Sequence, residues 1–237
     1  MIVAAHQPHY LPWIGYMHKI FLADTFVIMD NMEYTQYSYI NRNRILDRNG
    51  IFFITVPILY KGMSHNLINE IQIDNRNNSK WANKHLRSME HNYGKGNGFS
   101  DFYEKIEPVY RKKHERLIEL DFNLLRTILD YLEIDTRVIL ASDYDITGKK
   151  EDELFFSLIE KTNSSVVLLG KGASPRYIDS EKVRHQCSIA VQDFKHPQYK
   201  QRSASFKAGV SIVDMLFNVK QSEAVTMLRN AGSYNVV

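Results

Sequence analysis

The chain contains a single cysteine, Cys187, among its 237 residues. One cysteine excludes an internal disulfide bond and any zinc site that uses several thiolates. Because Cys187 borders a predicted strand, we interpret it as a small buried hydrophobic residue rather than as a nucleophile.

The sequence also lacks a long hydrophobic run. No segment approaches the roughly 18 apolar residues that a membrane-spanning helix requires, and the N-terminus has no basic region followed by an apolar one. We therefore expect a soluble, cytoplasmic protein with no membrane partner.

Several catalytic signatures are missing as well. The sequence has no Gly-x-Ser-x-Gly, no His-Glu-x-x-His and no Gly-x-Gly-x-x-Gly motif, and the glycine-containing segment 170–174 is not a Walker A motif. Serine hydrolase, metalloprotease and nicotinamide chemistry are therefore not expected.

The composition is that of an ordinary globular protein, with 44% hydrophobic and 24% charged residues. A net charge of +3 suits an anionic small molecule but is too weak to indicate a nucleic-acid-binding protein. The length fits one α/β domain over residues 1–237, with a helical layer or insertion at about 78–134. The oligomeric state is left open.

Hydrophobic periodicity predicts alternating strands and helices. Strands are predicted at residues 1–5, 25–30, 71–73, 138–141, 165–169 and 190–194, and a hairpin at 39–45 and 51–56 with Gly50 at positive φ. Helices are predicted at residues 13–22, 79–92, 101–132 (as two helices), 151–161, 211–217 and 223–228. This alternation indicates an α/β fold with a Rossmann-like sheet, mixed or parallel. The site is expected where the strands near residues 5, 30 and 169 end.

Polar and aromatic side chains follow the first predicted strand. His6, Gln7, His9 and Tyr10 lie in a loop before a helix, where phosphate groups bind readily. His6 and His9 are predicted to hold phosphate or to act as acid and base. The structural alternative places His6 in the core and His9 on the surface. A zinc site would need further ligands that no cysteine or histidine cluster supplies, so no metal is predicted.

A second cluster follows the next strand. Asp30 is a candidate for positioning or deprotonating an acceptor amine, with a solvated turn as the alternative. Asn41, Arg42, Asn43 and Arg44 are predicted to bind substrate or phosphate, because the forked guanidinium group matches these anions. Strand alternation puts the asparagines on one face and the arginines on the other, and either face could line the site.

The third cluster follows the strand at 165–169. Gly170 and Gly172 allow close approach of a ligand to the backbone, Lys171 adds a charge, and Tyr177 lies nearby. An ordinary tight turn would explain the glycines equally well.

The chain resembles the WbqC-like family. The matching segments are His6-Gln7-Pro8, Tyr10-Leu11-Pro12-Trp13, Asn41-Arg42-Asn43-Arg44, Trp81 with Lys84-His85, Tyr177-Ile178-Asp179, Pro197 with Tyr199 and Gln201, and the segment 210–218. Members of this family often occur with genes for bacterial O-antigen and other surface polysaccharides. The resemblance implies a role in making modified sugars or related metabolites, without a settled reaction. The loop at His6 is also loosely similar to the nucleotidylyltransferase and pantothenate-synthetase superfamily, although no glycine precedes His9.

The leading hypothesis is a transferase or ligase that forms an amide or ester on a sugar, amino sugar or related small metabolite. The donor would be ATP or another phosphate-bearing molecule. One alternative is a non-catalytic protein that binds an anionic metabolite or a pathway partner. The other is a transferase that uses aminoacyl-tRNA, whose expected mark is a basic stripe at residues 80–84, 87 and 111–113.

Overall fold

The computed structural model describes residues 1–59, 66–77, 80–147, 151–172, 184–203 and 205–237. Its main sheet contains β1 (Ile2–His6), β2 (Thr25–Ile28), β5 (Arg137–Leu140), β6 (Val166–Leu169), β7 (Ser188–Phe194) and β8 (Gly232–Val236), and a separate hairpin contains β3 (Arg42–Asp47) and β4 (Gly50–Thr55). The α-helices of these ranges are α1 (Ile14–Phe21), α2 (Lys80–Tyr93), α3 (Phe99–Arg111), α4 (Leu117–Tyr131), α5 (Glu151–Thr162), α6 (Ile212–Asn218) and α7 (Gln221–Arg229). None of them combines the length and apolar composition needed to cross a membrane.

The strand order of the main sheet is β5-β2-β1-β6-β7-β8. All neighbouring pairs are parallel except β7 and β8. This mixed sheet confirms the predicted α/β fold. The chain proceeds from β1 outward to β2 and β5, then returns to place β6 on the other side of β1. The strand order therefore reverses between β1 and β6, and a ligand crevice is expected at the carboxyl ends of these two strands.

Each face of the sheet is covered by a different set of helices. Ala4 and Phe26 belong to the larger core, together with residues of α1 to α4, α6 and α7. Their neighbours Val3 and Val27 face the opposite side, where Phe155 of α5 covers them. Alternation along the strands thus produces two cores from one sheet.

The sequence predictions differ from the structure in two places. Residues 71–73 form isolated bridges rather than a strand, because Ile73 pairs with Ile58 while Gln72 pairs with Arg116, so no continuous ladder develops. Strand β8 escaped prediction because its side chains are polar or exposed and its backbone pairing alone defines it. The predicted hairpin is confirmed, with Gly50 at a φ of +128°.

The loop that follows β1, residues 7–13, is fixed by distant parts of the chain. Leu11 has a φ of +45°, a region that costs a leucine about 1 kcal/mol or more. Its carbonyl oxygen accepts hydrogen bonds from Asn43 Nδ2 at 2.8 Å and from Ser211 Oγ at 2.7 Å. Asn43 Nδ2 also donates to the carbonyl oxygen of Tyr10 at 3.0 Å. The hairpin and the start of α6 therefore hold this loop in place.

We expect Asn43→Ala to lower the free energy of unfolding by about 2–3 kcal/mol, because two buried carbonyl groups lose their shared donor. Asn43→Asp should be worse at neutral pH, since a carboxylate would face two carbonyl oxygens, and should partly recover as pH falls, because burial beside these oxygens raises the pKa of the carboxyl group above its usual value of about 4 and the protonated group can donate. Urea unfolding curves measure both effects. Asn49→Ala, in the exposed hairpin turn, is the control; equal losses for Asn43→Ala and Asn49→Ala would contradict the anchoring role.

Candidate functional site

A pocket of about 580 Å³ lies where the strand order reverses; we call it the switch-point pocket. His6, Tyr16 and Lys19 line it from β1 and α1, and residues 170–172 line it from the end of β6. Apolar side chains of α5, including Phe155, form another wall. Its volume lies within the range of about 300–1,000 Å³ that is typical of small-molecule sites.

Lys19 is the most informative residue of this pocket. Its side chain is buried at 6% exposure, and Nζ donates a hydrogen bond to the carbonyl oxygen of Ala5 at 3.0 Å. Within the described ranges, no carboxylate lies within 4 Å of Nζ. Burial lowers the pKa of Lys19 to about 8, so the amine is still mostly charged at pH 7. A bound anion would compensate this buried charge.

His6 and His9 form an aromatic group with Tyr16. The two imidazole rings lie 4.8 Å apart, and His9 stacks on Tyr16 at 4.9 Å. Burial, together with the charge of Lys19, lowers the pKa of His6 to about 3 and that of His9 to about 4. Both rings are therefore neutral at pH 7 and act as hydrogen-bonding groups rather than cations.

A second, smaller cavity of about 230 Å³ adjoins the first. His9, Trp13, Tyr39, Asn43, Arg44 and Gly209 line it, and we call it the Arg44 pocket. Trp13 lines both cavities. Its indole ring lies over the first turn of α1, where a side chain at Gly15 would collide with it. The two cavities thus meet at Trp13 and at the histidine pair.

The structure answers which face of β3 reaches a site. Asn41 and Asn43 are buried and satisfied: Asn41 donates to Val56 O at 2.9 Å, and Asn43 anchors the loop after β1. Arg42 and Arg44 lie on the more exposed face. Arg44 enters its pocket, whereas Arg42 packs over the ring of Phe53 at 4.5 Å.

The remaining candidates are placed as follows. Tyr10 is fully buried away from the switch-point pocket and hydrogen-bonds to His85 Nδ1 at 2.7 Å and to the hydroxyl of Tyr110. The carbonyl oxygen of Gln7 accepts a hydrogen bond from Tyr16 at 3.2 Å. Gly170, Lys171 and Gly172 line the switch-point pocket, and a Cβ atom at either glycine would meet no atom of the described residues within 4 Å. Packing against the described part of the chain therefore does not require glycine there. Tyr177 lies outside the described residues.

Asp30 is buried just after the end of β2 and accepts hydrogen bonds from the start of the short helix Ala141–Tyr144. Ser142 donates to it twice, from its backbone N–H at 3.0 Å and from its hydroxyl at 2.6 Å. Both carboxylate oxygens are thus occupied.

The predicted burial of Cys187 is confirmed, and burial raises the pKa of its thiol. Across the described ranges, no group of three or more His, Cys, Asp or Glu residues is arranged to hold a metal ion.

The sequence interpretation missed Lys19, although a signal was present. Lys19 lies three residues after Tyr16, so both occupy the same face of the helix that was predicted over residues 13–22. A lysine on the apolar face of an amphipathic helix is unusual, because lysine is rarely fully buried without a partner.

Fold and site together define an α/β protein with a ligand-sized crevice at the reversal of strand order. The chain belongs to the WbqC-like protein family, whose model matches residues 7–226, as the sequence resemblance indicated. It is 37% identical over 231 residues to the uncharacterized protein Rv1507c of Mycobacterium tuberculosis, an alignment that covers 96% of this chain and 97% of that protein. No solved structure matches the chain.

We expect Lys19→Met to raise the free energy of unfolding by about 1–3 kcal/mol at pH 7, because the pKa depression of Lys19 measures the free-energy cost of keeping its charge buried. The folded state releases this proton near pH 8, whereas the unfolded chain holds it to about pH 10.4. The difference between the two proteins should therefore shrink as pH rises from 8 to 10.

Chemical unfolding at pH 7, 8.5 and 10 measures this difference. Lys171→Met, at an exposed position of the same pocket, is the control and should change stability by less than about 0.5 kcal/mol. A Lys19→Met protein that is less stable than the wild type at pH 7 would contradict the view that the buried charge is uncompensated.

Proposed function

We propose that the chain is a biosynthetic transferase or ligase that forms an amide or ester on a sugar, amino sugar or related small metabolite. Its donor would be ATP or another phosphate-bearing molecule, bound in the switch-point pocket. The observation that carries this proposal is Lys19, a buried cation that lines the pocket and has no carboxylate partner in the described structure. Stability alone does not favour such a group, whereas an anionic ligand would.

The pocket offers further groups for phosphate. Lys171 is exposed at its rim and can add a second positive charge. The first turn of α1 contributes residues 15 and 16 to the lining, and the N–H groups at a helix N-terminus favour anions. Charge developing on the donor during group transfer would be stabilised by these fixed groups.

His6 and His9 would act as neutral hydrogen-bonding groups in this scheme. A bound anion beside them would raise their pKa by Coulombic attraction, which would move His6 toward the range in which it can accept a proton from the attacking amine or hydroxyl group. Asp30 is assigned no chemical role in the proposal, because both of its carboxylate oxygens accept hydrogen bonds from Ser142.

A non-catalytic binding protein is the second candidate. The low pKa of both histidines favours it, because neither histidine of the unliganded pocket titrates near neutral pH. The third candidate, an aminoacyl-tRNA-dependent transferase, is weakened by its interrupted basic stripe: Arg111 pairs with Glu107 at 2.8 Å and Lys113 with Glu115 at 2.6 Å.

We expect a phosphate-bearing ligand to raise the thermal unfolding midpoint of the wild-type protein, and Lys19→Met to abolish this shift. A ligand present at 100 times its Kd stabilises the fold by about 2.7 kcal/mol. ATP, UDP-glucose and coenzyme A are the first ligands to test. The affinity of the ligand that binds should fall as pH rises through about 8, where Lys19 loses its charge, and Lys19→Met should lack this dependence.

Lys105→Met, which removes an exposed lysine of α3 outside the pocket, is the control and should retain the whole shift, whereas Lys171→Met should lose only the part that its second charge supplies. The absence of a shift with any phosphate-bearing ligand would contradict the proposed donor site. Binding without turnover, measured with amine and hydroxyl sugars as acceptors, would favour the binding protein. Binding of tRNA that weakens steeply with salt would favour the third candidate.

A further inference from the structure

We propose that the Arg44 pocket is a second ligand subsite, which binds the carboxylate group of a small organic acid next to the donor. This inference rests on the proposed function for the neighbouring donor pocket, but its own basis is a different set of residues. The cavity measures about 230 Å³, which is below the usual range for drug-sized ligands and suits a much smaller molecule.

The guanidinium group of Arg44 is free to bind a ligand. Its side chain makes no hydrogen bond or ion pair with any residue of the described ranges, and its Nε is inaccessible to solvent without a partner. A buried donor left in this way is costly. A carboxylate can accept hydrogen bonds from the terminal nitrogens of Arg44, Nη1 and Nη2, because two carboxylate oxygens match two N–H groups of the planar guanidinium fork.

The surroundings hold this guanidinium group in position. It lies over the ring of Tyr39, with 5.5 Å between Cζ and the ring centroid, which restricts its motion and leaves its edge available. Gly209 keeps the other side clear: a Cβ atom there would lie 3.0 Å from Nη2 of Arg44. Gly209 also has a φ of +72°, which favours glycine.

Asn43 and His9 also line the cavity: the side chain of Asn43 has its hydrogen-bond partners, whereas Nδ1 of His9 has none in the described structure. Asn43 is fully engaged, since it donates to two carbonyl groups and accepts from the backbone N–H of Arg44 at 2.8 Å. His9 Nδ1 is buried and lacks a partner in the described structure. His9 also contacts His6, which lines the switch-point pocket, so a ligand at Arg44 would lie beside the donor.

Arg42, on the same strand, shares the buried and unpartnered Nε but differs from Arg44 in its other contacts. Its guanidinium group donates to the carbonyl oxygen of Tyr37 and stacks on Tyr37 and Phe53. Arg44 lacks such a carbonyl partner and has a cavity instead. The two residues are therefore a matched pair for experiment.

The test is calorimetric titration of glycine, lactate and glutarate, with inorganic phosphate as a separate arm, into wild type, Arg44→Gln, Arg44→Lys and Arg42→Gln. We expect at least one carboxylate to bind the wild type and Arg42→Gln alike. Arg44→Gln should weaken that binding by about tenfold to a hundredfold, the usual effect of losing hydrogen bonds to a charged group. Arg44→Lys should recover part of it through charge alone. Unliganded melting curves check that each variant is folded.

The phosphate-bearing ligand of the switch-point pocket separates the two proposals. Suppose that this ligand binds the wild type and all three variants. If no carboxylate binds, or if carboxylate binding is the same in the Arg44 variants as in the wild type, the subsite is refuted and the donor site stands. If carboxylate binding depends on Arg44 but no phosphate-bearing ligand binds, the subsite stands and the proposed donor fails. Arg44-dependent binding of inorganic phosphate, without any carboxylate, would overturn the assigned ligand class.

Discussion

The carbonyl group of Leu11 is the point on which the arrangement of both cavities depends. It joins three parts of the chain that are far apart in sequence, because Asn43 and Ser211 both donate to it. The leucine is held at a positive φ that its side chain disfavours. Such strain persists where the surrounding contacts over-determine the backbone, and it is common beside ligand sites. These hydrogen bonds help to fix His9 and Trp13 relative to His6, which is itself held in the sheet by its pairing with Ile28 of β2.

In the described part of the chain, the buried charge of Lys19 has one hydrogen-bond partner, whereas the carbonyl group of Leu11 has two. Helix α1 packs against the sheet with its apolar face, and Lys19 occupies a position where an apolar side chain would serve the core better. Its amine finds one carbonyl oxygen, that of Ala5, at the end of β1. A residue that breaks the local hydrophobic pattern without a compensating partner is what a functional site is expected to contain. The chain returns from β5 to β6 beside β1. This return places the pocket next to Lys19, whose buried charge lowers the stability of the fold.

Sequence reasoning predicted the sheet well because its central strands are short apolar runs between polar loops, as in segments 25–30 and 165–169. It also predicted a single site where the strands near residues 5, 30 and 169 end, with Asn41 beside it; His6 and Lys171 line one pocket, whereas Asp30 and Asn41 do not line it. It left open whether the asparagine or the arginine face of β3 lines a site, and it treated Arg42 and Arg44 alike, because both occupy the same face and their difference comes from Tyr37, Phe53 and Gly209. The roles of Asp30 and Tyr10 were equally hidden, since their partners, Ser142 and His85, lie more than 70 residues away in sequence.

The two cavities present cations of different kinds, and this difference argues for two different anions. Lys19 is a compact ammonium group inside an apolar wall, so it can neutralise an anion without imposing a direction on it, and its charge is lost near pH 8. Arg44 is a planar fork held against Tyr39, with its N–H groups in fixed directions. A flexible phosphate chain suits the first group, and a single planar carboxylate suits the second. On the proposed function, the two reactants of a group transfer would lie at adjoining positions, with the neutral His6 and His9 between them.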